Sequence, residues 1–193
     1  IGSIRLGGVD LTKVANHELR TRLVVVPQEP FLFDDTVAAN LRFSQPDVED
    51  SRLRKTFDDL GLSDWLDSLG DGLETRVGQR GSQISAGERQ LVALVRAALV
   101  NPSILILDEA TSSVDPLTEI RISRAIERLA KGRTTIAIAH RLSTAARADR
   151  VLVLDHGRLV EDGTHDQLVD ADGVYSRMYR AWISSTSTNT PPA

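Results

Sequence analysis

The sequence predicts an α/β fold, a parallel β-sheet with an inserted helical subdomain. Three observations carry that expectation. Four apolar runs, Leu23–Val26, Ile104–Leu107, Thr135–Ala139 and Val151–Leu154, are continuous rather than alternating, the pattern of strands buried on both faces of a parallel sheet. Helix-period stretches with recognisable caps separate them. One such stretch, from Thr36 to Asp71, is long enough to form a subdomain of its own. The organisation read from these patterns is a core part over 1–35, a helical part over 36–100, a second core part over 101–183 and a disordered tail over 184–193.

Taking the chain in order, Gly7-Gly8 between Ser3–Leu6 and Val9–Leu11 reads as the turn of a β-hairpin. Residues 17–22 form a short helix or turn. Leu23–Val26 is the first core strand, stopped by Pro27. In the helical part, Val37, Ala38 and Leu41 share one face. Val48, Leu53, Phe57 and Leu60 form another stripe, ending at a Gly61 cap. Ser63–Leu66 opens a further short helix, in which Trp65, like Phe57, is read as a core residue. The polar, glycine-rich segment 74–81 leads to Ser85, whose spacing to Glu88 fits a capping box. The helix behind it is apolar almost all round and should be buried.

Asn101-Pro102 precedes the second core strand. Asp115-Pro116 then starts a helix, with aspartate as N-cap and proline at the first helical position. Ile120, Ile126 and Leu129 are expected to face the core, and Lys131-Gly132 ends the helix. The third and fourth strands follow, then a hairpin around 155–158. Two short helices over 164–182 place Leu168, Val169, Tyr175, Met178 and Tyr179 on the core.

Composition excludes several classes of function. With 193 residues, 41% of them apolar, the chain can bury a respectable core. A net charge of −4 gives no electrostatic footprint for nucleic acid or an anionic membrane. Without cysteine there is neither a disulfide framework nor a thiolate metal site. No apolar run approaches the ~20 residues that cross a bilayer. The chain opens with Ile1 inside an expected strand, which reads as a fragment.

The chemistry-bearing residues stand where the strands stop. Gln28, the adjacent acids Asp108 and Glu109, and His140 each follow directly on a continuous apolar run. In a parallel sheet such residues emerge at one edge, where ligands of open α/β sheets sit. Taken singly, Gln28 is a turn residue, the acid pair a helix cap, and His140 a structural hydrogen-bonder. Together they fit a site for a phosphate-bearing ligand, a divalent metal and an attacking water. The helix start at Ser85 is open to two readings, a well-capped core helix or an anion site.

In this order the motifs resemble the nucleotide-binding domain of ABC transporters, specifically of the exporter type, over nearly the whole chain. Gln28 in Val-Val-Pro-Gln-Glu-Pro-Phe-Leu-Phe matches the Q-loop. Ile84-Ser-Ala-Gly-Glu-Arg-Gln90 matches the signature loop, usually Leu-Ser-Gly-Gly-Gln. Ile104–Glu109 matches Walker B with its catalytic glutamate, Ser112–Asp115 the D-loop, His140 the switch histidine, and Glu161–His165 the stretch that follows it in exporters.

The fold implied is a P-loop NTPase (RecA-like) core, N-terminally truncated. Two such domains sandwich ATP head to tail. The resemblance gives Asp108 and Gln28 the Mg²⁺ and its water, Glu109 the attacking water, and His140 the γ-phosphate. Ser85, Gly87, Glu88 and Asp115 fall on nucleotide-contacting motifs, with Ser85 and Gly87 reaching the γ-phosphate in the partner's site. The loops at Gln28 and at 75–81 face the transmembrane helices. The implied place is the cytoplasmic side of the cell membrane, exporting lipids, drugs, peptides or siderophores.

Three departures stand out. Glu88 replaces the usual signature glutamine. Arg76 and Gln79 replace glutamates common before the signature. No Gly-x-x-x-x-Gly-Lys-Ser/Thr occurs, so the phosphate-cradling loop is expected upstream of Ile1, and its strand between Thr135–Ala139 and Val151–Leu154. The chain alone should therefore show a gap in its sheet and no ATPase activity. Two other readings compete. One is a non-catalytic module that donates its signature loop to another subunit, which has no need of Glu109, His140 or Gln28. The other is a chromosome-maintenance or repair ATPase, disfavoured by the exporter-like loops and the lack of coiled-coil heptads.

Overall fold

The computed structural model describes residues 2–109, 114–139 and 142–187, giving the backbone alone for Glu109 and 185–187. Contacts divide the chain into two compact units, Ile1–Ile138 and Ala139–Ala193.

The first unit opens with an antiparallel hairpin, β1 (Arg5–Leu6) and β2 (Val9–Asp10), turning at Gly7 and Gly8 with φ of 55° and 83°. Helix α1 (Asn16–Arg22) runs directly into β3 (Leu23–Val26). β3 pairs in parallel with β4 (Ile104–Glu109), in the register Leu23↔Ile104 to Val26↔Leu107. The sheet order is β3-β4-β5, with β5 spanning Thr134–Ala139. The Thr134 amide donates to the Ser103 carbonyl at 3.2 Å, so β5 begins beside the start of β4.

The expected helical part is present as α2 (Val37–Arg42), α3 (Asp50–Leu60) and α4 (Ser63–Ser68). The Thr36 hydroxyl caps α2 by accepting from the Ala39 amide, and Gly61 closes α3 in the left-handed region at φ 70°. Helix α5 (Ala86–Val100) is buried on most of its circumference, as its sequence requires. It packs on α2, α3, β3 and α6 (Pro116–Ala130). One apolar core joins all of these elements, centred on Leu32, Leu41, Phe57, Trp65, Leu94 and Leu105.

The second unit consists of α7 (Leu142–Ala145), the antiparallel pair β6 (Val151–Asp155) and β7 (Arg158–Gly163), α8 (His165–Asp170) and α9 (Val174–Ser187). A capping box, Thr164 with Gln167, starts α8. The Glu161 carboxylate starts α9, accepting from the amides of Val174 at 2.7 Å and Tyr175 at 2.8 Å.

Five expectations need correction. Ile120 is exposed, and the core face of α6 runs instead through Thr118, Ile122, Ala125 and Leu129, which are spaced four, three and four apart. Ile136 and Ile138 of β5, expected to be buried, are each more than half exposed. They share one face of the strand. On β6, Val151 is buried while Leu152 and Leu154 are exposed, because an antiparallel ribbon buries alternate residues. Met178 is also exposed on α9. That helix continues through Ser187, into the segment expected to be a disordered tail; residues 188–193 lie outside the described ones.

Candidate functional site

The parallel register fixes the first part of the site. Val26 and Leu107 are partners at the carboxyl ends of β3 and β4, so Gln28 and the Asp108–Glu109 pair share one sheet edge. Pro27 stops β3 and leaves Gln28 exposed in the turn beyond it. Asp108 is half-buried, and Glu109 is described as the last residue of β4. His140 follows β5 directly and lies outside the described residues. Two oxygen donors on adjacent strands suit a hard cation that takes its other ligands from water and phosphate. Among the described residues no group of three acids or histidines could form a closed protein cage.

The second part is a helix start. Ser85 caps α5: its Oγ accepts from the Glu88 amide at 3.2 Å, while the Glu88 Oε2 accepts from the Ser85 amide at 2.8 Å. This reciprocal box stabilises the turn by about 1 kcal/mol. The amides of Ala86 and Gly87 have no acceptor within the helix. The Glu88 Oε1 accepts from the indole nitrogen of Trp65 at 3.1 Å, a link from α4 that the sequence did not reveal. Desolvation pushes the Glu88 carboxyl up, but the hydrogen bonds from Ser85 and Trp65 outweigh it and hold the group below its ordinary value.

Beside this turn lies the start of α6. Asp115 caps it, accepting from the Thr118 amide at 3.0 Å, with Pro116 at the first helical position as expected. Those bonds to Thr118 lower the Asp115 carboxyl. Gly87 is buried against Thr118 and Val114, which brings two helix N-termini together. The candidate residues thus form two groups, Gln28 with Asp108 and Glu109 at the sheet edge, and Ser85, Gly87, Glu88 and Asp115 at paired helix starts.

The segment after Gln28 forms an open apolar groove of about 470 Å³ with β3 and α5. Phe31, Phe33 and Phe43 line it in edge and tilted contacts at 5.1 and 4.6 Å, each more than 40% exposed. Asn40, 1% exposed, accepts from the Phe33 amide and donates to the Phe33 and Thr36 carbonyls. Arg96 of α5 donates to the Phe31 carbonyl and to Asn40. The loop at 75–77 joins the same region, through Val37 N to Thr75 O and Val77 N to Asp35 O, each 3.0 Å. Neither Asn40 nor Arg96 was legible as a clamp, since their carbonyl partners carry no sequence signal.

A family model for the ABC transporter matches residues 1–112. The chain belongs to the ABC transporter family. It is 42% identical over 184 residues to an uncharacterized ABC transporter ATP-binding protein, YknV, of Bacillus subtilis, covering 95% of this chain and 30% of that protein. It is 43% identical over 182 residues to an ATP-dependent lipid A-core flippase of Ralstonia nicotianae, covering 93% of this chain and 31% of the flippase. A solved structure of a bacterial Atm1-family ABC exporter with ATP bound superposes with a TM-score of 0.84 at 38% identity, covering 100% of this chain and 33% of that one. The chain therefore spans about a third of the length of these relatives. The mixed α/β fold with its parallel strands is that of ABC exporter ATP-binding domains. Among the described residues, no helix of this ABC domain is long and apolar enough to cross a membrane.

Proposed function

We propose that this chain is part of the motor domain of an ABC exporter, binding and hydrolysing ATP to drive export. The observation that carries the reading is the β3–β4 register, which sets Gln28 and Asp108–Glu109 at one sheet edge. Glu109 orients and polarises the attacking water at that edge, and the γ-phosphate contact falls to His140, the residue after β5 in sequence. Asp108 and Gln28 would hold Mg²⁺, which would supply neutralisation of phosphate charge. Ser85 and the amides of Ala86 and Gly87 present the start of α5 to ATP bound by a second nucleotide-binding domain, with Asp115 at the same junction. A helix N-terminus favours the polyphosphate through aligned amides and the helix dipole.

The partners are that second domain and a transmembrane domain, which places the segment at the cytoplasmic face of the membrane. The exposed Phe31, Phe33 and Phe43 suit an apolar partner helix, and the clamp from Arg96 and Asn40 ties their loop to the signature helix. In the exporter that carries this segment, Glu109→Gln is expected to lower ATP turnover at least about 100-fold, within the range for loss of general-base catalysis. ATP-induced association of the two domains should persist. Hydrolysis at the wild-type rate would remove Glu109 from the catalytic role.

A further inference from the structure

We propose that Trp65 is a positioning residue for the signature turn, and that its indole is the reason glutamate stands at position 88 in place of the usual glutamine. The inference rests on the reading that this turn meets ATP. Trp65 is 2% exposed, with its ring 5.9 Å from that of Phe57, so the indole is fixed by the core of the helical part. Its N–H points at the Glu88 Oε1 at 3.1 Å. The other oxygen, Oε2, is taken by the Ser85 amide at 2.8 Å.

Two donors approach two different atoms of one side-chain terminus. Only a carboxylate offers an acceptor on both. A glutamine in the same rotamer would turn its NH₂ toward either the indole N–H or the Ser85 N–H, setting donor against donor. One of those groups would lose its partner, and the loss is costly where it falls on the indole N–H of the buried Trp65. A phenylalanine at position 65 makes no such demand, and a glutamine oxygen could then serve Ser85 alone. The same two bonds fix the Glu88 carboxylate between the α4 indole and the Ser85 amide.

The test is a two-by-two set in the exporter that carries this segment: Trp65→Phe, Glu88→Gln and the double variant, with Ser85→Ala as a separate control. The KM for ATP and kcat are measured for each. Glu88→Gln is expected to raise KM about fivefold or more, the scale of one unpaired buried donor. Trp65→Phe should raise KM with a smaller effect on kcat. The double variant is expected to have a lower KM than Glu88→Gln alone, because the indole donor is then absent and the glutamine oxygen can serve the Ser85 amide. If Trp65 is only a core residue, the two effects multiply and the double variant is the worst of the three, which would overturn the proposal. If Ser85→Ala also leaves KM unchanged, the fault lies in the reading that this turn contacts nucleotide, and the proposal falls with it.

Discussion

Gly87 and Thr118 meet so closely that a Cβ added to Gly87 would lie 2.5 Å from the Thr118 Cγ2 and 2.7 Å from the Val114 Cγ1. The first turn of α5 therefore rests directly on the first turn of α6. Both obstructing side chains are β-branched, with little freedom at χ1 to swing aside. In an open helix, Gly→Ala gains about 0.5–1 kcal/mol. Here overpacking costs about 1–3 kcal/mol and wins. Gly87→Ala is expected to lower the urea unfolding midpoint, and a midpoint at or above that of the wild type would show that the two helix starts can part without cost.

The cap at Asp115 sets a pH dependence. Its carboxyl is lowered from the ordinary value of 3.8 by the bonds from Thr118, so the ionised form is favoured in the folded state. A group with a depressed folded value contributes stability that is complete above its unfolded value and lost as pH falls through the folded one. Asp115→Asn keeps a good N-cap but cannot titrate. Thermal unfolding should therefore show the wild type falling more steeply than Asp115→Asn once pH drops below 3.8. Parallel curves through that range would exclude Asp115 as a titrating cap.

Local rules made much of this protein legible. The capping box at Ser85–Glu88, the Asp115-Pro116 start and the Gly61 stop are each decided within a few residues, and each forms as expected. That Gln28 and Asp108 emerge at one edge of a parallel sheet followed from two continuous aliphatic runs, whereas their register did not. What failed depended on neighbours far along the chain. Ile136 and Leu154 sit in runs that look doubly buried, yet burial needs a covering layer, and an aliphatic run does not state whether it has one. The Trp65 bond to Glu88 spans 23 residues, and an indole in an apolar helix looks like core until its N–H is followed to an acceptor.

The aromatic groove behind Gln28 should separate hydrolysis from transport. Phe43 is 64% exposed and contacts the Phe33 ring, so a polar substitution there removes a projecting apolar side chain without opening the core. If the segment drives export as proposed above, Phe43→Ser in the whole transporter is expected to reduce substrate transport at least about threefold, consistent with loss of one interfacial aromatic anchor. ATP hydrolysis should be reduced less than transport. Paired assays on the same vesicles measure this ratio directly. An unchanged ratio of transport to hydrolysis would mean that the groove does not receive the transmembrane domain.

The 193-residue chain itself should bind ATP weakly. It supplies Gln28, Asp108 and Glu109 at the sheet edge, but its sequence holds no Gly-x-x-x-x-Gly-Lys-Ser/Thr, and none of Lys13, Lys55 and Lys131 follows a glycine. A phosphate loop provides a nest of amides and a lysine at fixed positions, and two carboxylates facing a polyphosphate repel it unless such a cradle and a cation offset them. The outcome can be read as stability. A ligand present at 100 times its Kd adds about 2.7 kcal/mol to the folded state. For a chain of this size that shifts the unfolding temperature by about 5–10 °C. Millimolar ATP with Mg²⁺ is expected to leave the melting curve of the chain unchanged and to give no binding isotherm by calorimetry. A shift of several degrees, with micromolar affinity, would mean that these residues cradle phosphate by a route other than the family's glycine-rich loop.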